Sequence, residues 1–211
     1  MKIVVFGGTG YTGGNVVREA ASRGQSVVAV SRSEPRQPVD GVRYETGSAQ
    51  DLAAKLIADA DVVVAALSPR GDMAGRLVEV YSELASRSAE AGARYLQIGG
   101  FSSLRPAAGA PRFADGELAD QFREEALEGE ATRVLLVEKA PPHLDWLFIS
   151  PAGSYGAWAP GEPTGQYRVG GEVALFDPNG ASSISGADFG LAVVDEIETP
   201  RHSREHIGIA Y

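Results

Sequence analysis

The sequence predicts an α/β protein with a doubly wound parallel sheet, and three observations carry that expectation. Short apolar runs recur at Lys2-Ile-Val-Val-Phe6, Ser26-Val-Val-Ala-Val30, Asp61-Val-Val-Val-Ala-Ala-Leu67, Arg94-Tyr-Leu-Gln-Ile98 and Trp146-Leu-Phe-Ile149, as expected for strands buried on both faces. Helical patterns separate them, and strand–helix alternation through short connections makes neighbouring strands parallel. A glycine-rich turn, Gly7-Gly-Thr-Gly-Tyr-Thr-Gly-Gly14, joins the first strand to the first helix.

That first unit is the most informative. Val16, Val17, Ala20 and Ala21 recur at helical spacing before the second strand. Gly7, Gly10 and Gly13 stand where the chain turns sharply, and a residue without Cβ permits positive φ or close approach of a ligand to the backbone. Thr9, Tyr11 and Thr12 complete the loop, and the helix opening near Tyr11 directs unpaired N–H groups outward. A pyrophosphate fits such a turn, so the unit predicts a Rossmann-type dinucleotide site. The alternative is a tight glycine turn that binds nothing.

Further along, Val42-Arg-Tyr-Glu-Thr46 predicts a short strand and residues 51–57 a short helix. Met73, Leu77, Val80, Tyr81, Leu84 and Ala91 share one helical face, with Gly92 as its C-terminal cap. Residues 105–115 form an aperiodic loop, followed by helical patterns over 117–127 and 131–139. Residues 166–169 and 172–176 are candidate short strands around Gly170-Gly171. Ser185-Gly-Ala-Asp188 has the form of a capping box opening a helix with Phe189, Val193 and Ile197 on one face, and residues 206–211 predict a closing strand. A single NAD(P)-binding domain is expected over residues 1–211, with an irregular substrate-side stretch at 151–183.

Composition narrows the classes. The chain has 211 residues, 44% of them hydrophobic, which suffices for one sizeable core. Cysteine is absent, which excludes disulfides, thiolate metal sites and a cysteine nucleophile. The net charge of −9 argues against nucleic acid as a general partner. No secretion signal or bilayer-length apolar stretch is visible, and the expectation is a cytoplasmic protein. Nothing in the sequence sets an oligomeric state.

An NAD-preferring unit usually ends its second strand on an Asp or Glu that accepts from the ribose 2′-hydroxyl. Here Ser31-Arg32-Ser33 stands there and the first carboxylate is Glu34. Arg32 can pair with a 2′-phosphate or stack on adenine, with Ser31 and Ser33 as donors. NADP(H) is therefore favoured and NAD(H) tolerated; the alternative is a solvated surface arginine.

Ligands in such sheets lie at the carboxyl ends of the strands. Leu67-Ser-Pro-Arg-Gly71 is expected beside the ribose of the nicotinamide half, with Leu67 and Ser68 as contacts. Gly99 and Pro151 join the cofactor-binding set from the loops after the fifth and sixth strands. Gly99-Gly-Phe-Ser-Ser-Leu104 comes nearest the reacting end, and its hydroxyls, Ser102 and Ser103, are candidate catalytic groups for a small-molecule acceptor. Phe101 is either a stacking surface or a core residue. No tyrosine has a lysine four residues on, so the usual tyrosine acid with its lysine is missing. Tyr155 can still act from its loop, unsupported. His202 and His206 read as a solvated turn, not metal ligands, and Glu124, Glu125, Glu128 and Glu130 as a solvated helix face.

The opening Val5-Phe-Gly-Gly-Thr-Gly-Tyr-Thr-Gly13 resembles the atypical short-chain dehydrogenase/reductases that lack the tyrosine–lysine pair, among them NmrA-like proteins and flavin/biliverdin reductases. Asp145-Trp-Leu-Phe-Ile-Ser-Pro-Ala152, Pro160-Gly-Glu-Pro-Thr-Gly-Gln-Tyr-Arg168, Ser183-Ile-Ser-Gly-Ala-Asp-Phe189, Val194-Asp-Glu-Ile-Glu198 and Pro200-Arg-His202 are most similar to the bacterial NADH–flavin reductase group. The resemblance implies one Rossmann domain with a small C-terminal cap. The group's Gly-Gly-Ala-Gly-Ser-Leu loop is Gly-Gly-Phe-Ser-Ser-Leu here, so Ser103 takes the group's serine, Ser102 replaces a glycine and Phe101 reshapes the pocket. The resulting expectation is an NADP(H)-dependent reductase passing hydride to a flat acceptor, FMN, FAD or a quinone. The alternative is an NmrA-like redox sensor that binds NAD(P)(H) without turnover.

Overall fold

A computed structural model describes residues Met1–Tyr211. Eight strands form one sheet: β1 (Lys2–Phe6), β2 (Ser26–Ser31), β3 (Arg43–Thr46), β4 (Val62–Ala65), β5 (Arg94–Ile98), β6 (Trp146–Ser150), β7 (Arg168–Gly170) and β8 (Glu205–Ala210). Their order is β3-β2-β1-β4-β5-β6-β8-β7. Every pairing is parallel except that of β7 with β8. The order reverses between β1 and β4, which opens a crevice at their carboxyl ends.

Alternation along β1 sorts its side chains between two layers. Ile3 and Val5 pack with Val16, Val17 and Ala20 of α1 (Tyr11–Ser22) and with Phe189 and Val193 of α5 (Gly186–Glu198). Val4 and Phe6 face α2 (Ala49–Ile57) and α3 (Leu77–Ala91), whose Leu56, Val80 and Leu84 fill the opposite layer, joined by Leu136 of α4 (Asp120–Lys139). Both faces are covered, which is why the strands read as unbroken apolar runs. No helix is long and apolar enough to cross a membrane.

Helices α1 and α5 approach closely because α5 carries glycine at the crossing. A Cβ on Gly190 would lie 2.9 Å from the backbone carbonyl of Asn15, and one on Gly186 would collide with Asn15 and Tyr11. Gly92 ends α3 in the left-handed conformation, at φ 70°.

Three expectations change. The two helical patterns before β6 are one continuous helix, α4, with Gly129 inside it. Met73 lies in a 3-10 turn, Gly71–Met73, because Gly71 and Gly75 both take positive φ and postpone α3 to Leu77. Residues 172–176 form no strand: a single bridge joins Val173 to Arg105, while β7 holds the available edge of β8.

Candidate active site

The glycine loop sits at the carboxyl end of β1 and is built by backbone against backbone. Gly7 has φ +86°, and a Cβ there would lie 2.3 Å from the carbonyl oxygen of Ala66. A Cβ on Gly13 would lie 2.2 Å from the Gly7 carbonyl oxygen. Gly10 takes no positive φ, which leaves close approach of a ligand as the reason for glycine there. Its φ is −73°, and the nearest obstacle to a Cβ is the Gly7 oxygen at 3.2 Å. Glycine at 10 keeps open the space in front of α1, whose first turn holds no acidic residue and no side-chain cap. Its N–H groups and the positive end of its dipole are left for an anion.

A cleft of about 500 Å³ opens beside this loop, lined by Gly8, Thr9 and Gly10, by Arg18 of α1, and by Ser33 and Arg36 beyond β2. The bare loop and the two guanidinium-bearing walls suit a phosphorylated nucleotide. Ser31 does not offer its hydroxyl to the cleft, since it donates to the Ser33 carbonyl and accepts from the Ser33 amide. Arg32 is exposed and paired with Asp72, its Nη1 3.0 Å from Oδ2. The sequence did not indicate Arg18, Arg36 or Asp72 as groups at this site.

The loop after β4 is fixed from below. Buried Tyr81 accepts from the Leu67 amide and donates to the Leu67 carbonyl, both at 3.0 Å, and burial raises its phenol pKa. Leu67 is half-buried and Ser68 exposed, at the place expected for a ribose. Pro151 is buried directly after β6. Tyr155 donates to Thr12 Oγ1 at 2.9 Å and meets Tyr11 edge-on, with centroids 5.3 Å apart. Burial raises the Tyr155 phenol pKa against the weaker opposing pull of the Thr12 hydrogen bond. It fastens the loop after β6 to α1 and has no cation to help it release a proton.

The loop after β5 carries the largest correction. Gly99 has no room for a side chain, since a Cβ would lie 2.1 Å from the Phe148 ring. Ser103 is fully buried and its hydroxyl has no hydrogen-bond partner. It cannot touch an acceptor in this conformation because the 3-10 turn Phe101–Ser103 points it inward. Ser102 is the partly exposed hydroxyl. Phe101 stacks on Phe113 at 4.8 Å and meets Phe176 edge-on at 6.4 Å, so an aromatic wall borders the loop.

Beneath it runs a buried network. Ser150 Oγ donates to the Gly100 carbonyl at 2.8 Å and lies 2.9 Å from His206 Nε2. With the serine proton committed, His206 Nε2 must be the donor. Its Nδ1 faces Arg112 Nη1 at 3.4 Å, and Arg112 also bonds the Ser103 carbonyl and Glu172. Burial first, then the charges of Arg112 and Arg133, lowers the His206 pKa to about 3. His206 is therefore neutral and structural, contrary to the solvated turn expected. His202 bonds Glu196 Oε2 at 2.9 Å, apart from His206. The acidic face of α4 is also engaged: Glu125 pairs with Arg70, Glu128 accepts from the amides of Gly75 and of Leu77 at the start of α3, and Glu130 pairs with Arg133.

Strand order and glycine loop together define a nucleotide-cofactor protein of Rossmann type. The profile of the NAD(P)H-binding family matches residues 7–200, and the chain belongs to that family. It is 30% identical over 216 residues to the uncharacterised protein YwnB of Bacillus subtilis (strain 168), covering 99% of this chain and 98% of that one. A Streptococcus pneumoniae TIGR4 structure described as a candidate NADH-flavin reductase is 28% identical, with TM-score 0.85 over 100% of this chain and 99% of that one. A Bacteroides thetaiotaomicron structure described as a candidate epimerase is 30% identical, with TM-score 0.87 over 100% and 96%. The open glycine loop suits that family, and the chain is an NAD(P)H-binding protein.

Proposed function

We infer that this protein is an NADP(H)-dependent reductase that passes hydride to a flat acceptor, with FMN, FAD or a quinone as substrate. The observation that carries the reading is the pairing of an aromatic cluster on the loop after β5 with the lack of a competent acid. Phe101, Phe113 and Phe176 border the loop after β5, while Tyr155 is held on Thr12 with its phenol pKa raised. The nicotinamide supplies a hydride from C4, and an acceptor that takes it into a conjugated ring can draw its proton from solvent.

The chain's own part is positioning. The α1 N-terminus and the glycine loop take the pyrophosphate, and Arg32, Arg36 and Ser33 surround the 2′-phosphate. Tyr81 fixes Leu67 beside the ribose, and Ser102 offers a hydroxyl to the acceptor. Holding acceptor and nicotinamide face to face supplies the proximity. The streptococcal relative supports a flavin acceptor.

The burial of Ser103 favours a second reading, a redox sensor that binds NAD(P)(H) without turnover. NADPH oxidation against a panel of flavins, quinones and carbonyls, with cofactor binding measured on the same sample, separates the two. Sustained turnover with flavin or quinone is expected. Tight binding without turnover of any acceptor gives the sensor the lead, and turnover confined to carbonyls overturns the flat-acceptor reading.

A further inference from the structure

Two opposite charges meet across the mouth of the crevice. Arg32 directly follows β2, and Asp72 lies in the 3-10 turn after β4. β2 and β4 flank β1 on either side, so their contact passes over the carboxyl end of β1, where the glycine loop begins. Arg32 Nη1 and Asp72 Oδ2 are 3.0 Å apart.

The segment bearing Asp72 is fastened to α4 on both sides. Before it, Arg70 pairs with Glu125 at 3.0 Å. After it, Glu128 accepts from the Gly75 amide at 2.9 Å and the Leu77 amide at 2.7 Å. Gly71 and Gly75, with φ of 60° and 75°, make the turns between these fastenings. Asp72 is thus carried on a held crossbar. Arg18, which lines the cleft, donates to the Asn15 side-chain oxygen at 2.7 Å and to no carboxylate.

We propose that Asp72 is a cofactor-specificity residue: its carboxylate occupies the Arg32 guanidinium that a 2′-phosphate would use, and so narrows the preference for NADP(H) over NAD(H). The inference rests on the reading of Arg32 as the 2′-phosphate partner. A 2′-phosphate must displace or share with Asp72 and also meets its negative charge. NAD(H) presents a hydroxyl there and makes no demand on the cation. The side chains are 50% and 88% exposed, so water and salt screen the competition and the effect is severalfold.

Calorimetric titration with NADP⁺ and NAD⁺ of the parent, Asp72→Asn, Arg32→Ala and the double variant tests it, with circular dichroism confirming the fold. Asp72→Asn is expected to tighten NADP⁺ by about two- to fivefold and to leave the NAD⁺ affinity essentially unchanged, a gain that disappears when Arg32 is also replaced. An unchanged NADP⁺/NAD⁺ ratio in Asp72→Asn overturns the proposal, as does a gain that persists without Arg32, which would be bulk charge relief. If Arg32→Ala fails to weaken NADP⁺ selectively, the 2′-phosphate reading falls and this inference with it. If that loss is selective but Asp72→Asn is silent, only this inference falls.

Discussion

Ser150 and His206 lie 56 residues apart in sequence and 2.9 Å apart in space, under the loop that follows β5. Their hydrogen bond passes to the Gly100 carbonyl through the serine hydroxyl, so a side chain in the last strand holds the backbone of the loop after β5. His206 can do this only while neutral, with Nε2–H donating and Nδ1 facing Arg112.

That requirement makes stability depend on pH. The folded pKa of His206 is about 3, below the ordinary histidine value near 6.5, so between those values the unfolded chain binds a proton that the folded chain refuses. Stability is full above about pH 6.5 and falls as pH is lowered, by up to about 2 kcal/mol at pH 5. Glu172, Asp188 and Glu196 have lowered pKa values because hydrogen bonds and ion pairs outweigh the cost of their burial; their stabilisation is lost only at lower pH. Urea denaturation at pH 7, 6 and 5 should show the decline in the parent. In His206→Gln, which keeps a donor and cannot titrate, it should be much flatter. Equal slopes in both proteins would place the titrating group elsewhere.

Gly10→Val should abolish NADP(H) and NAD(H) binding while leaving the fold intact. Its φ of −73° suits any residue, and the one near obstacle to a Cβ, the Gly7 oxygen at 3.2 Å, asks for a shift of only a few tenths of an ångström. The branched side chain would instead fill the space before α1 that a pyrophosphate needs. A folded variant titrating with parent affinity would put the cofactor elsewhere.

Gly190→Ala is a stability variant with no expected role at the cofactor. Its Cβ would press on the backbone of Asn15 at 2.9 Å, and backbone cannot swing aside as a side chain can. A loss of about 1–3 kcal/mol is expected as α1 and α5 separate, read as a lowered urea midpoint. An unchanged midpoint would mean that this helix pair is loosely packed.

The β-strands and the glycine loop were legible because burial on both faces writes a parallel strand as an apolar run, and a strand-to-helix turn needs its glycines locally. The capping box was half legible. Ser185 does accept from the Asp188 amide, but the Asp188 carboxylate serves Thr164, Gly165 and Tyr211 from other segments. The site was legible only where it is local. The surroundings of Ser103, Arg112, His206 and Asp72 are set by residues distant in sequence, and no local pattern distinguishes a serine facing inward on a 3-10 turn from one facing the crevice. His206 did leave one trace, a histidine at the edge of an apolar closing strand.

The two serines and Tyr155 divide cleanly in a kinetic test. Ser103→Ala removes a buried hydroxyl without a partner, so stability should hold or rise slightly and turnover with NADPH and free flavin should stay near the parent value. Ser102→Ala removes the accessible hydroxyl and should raise the flavin KM or lower kcat without altering NADPH affinity. Tyr155→Phe should keep the rate within a few-fold, whereas losing a true general acid typically costs about 10²–10⁴-fold; its main effect should be a looser loop, since the bond to Thr12 Oγ1 is lost. A collapse in Tyr155→Phe would move the catalytic role to the loop after β6. A collapse in Ser103→Ala would mean that the turn Phe101–Ser103 rearranges to expose that hydroxyl when the acceptor binds.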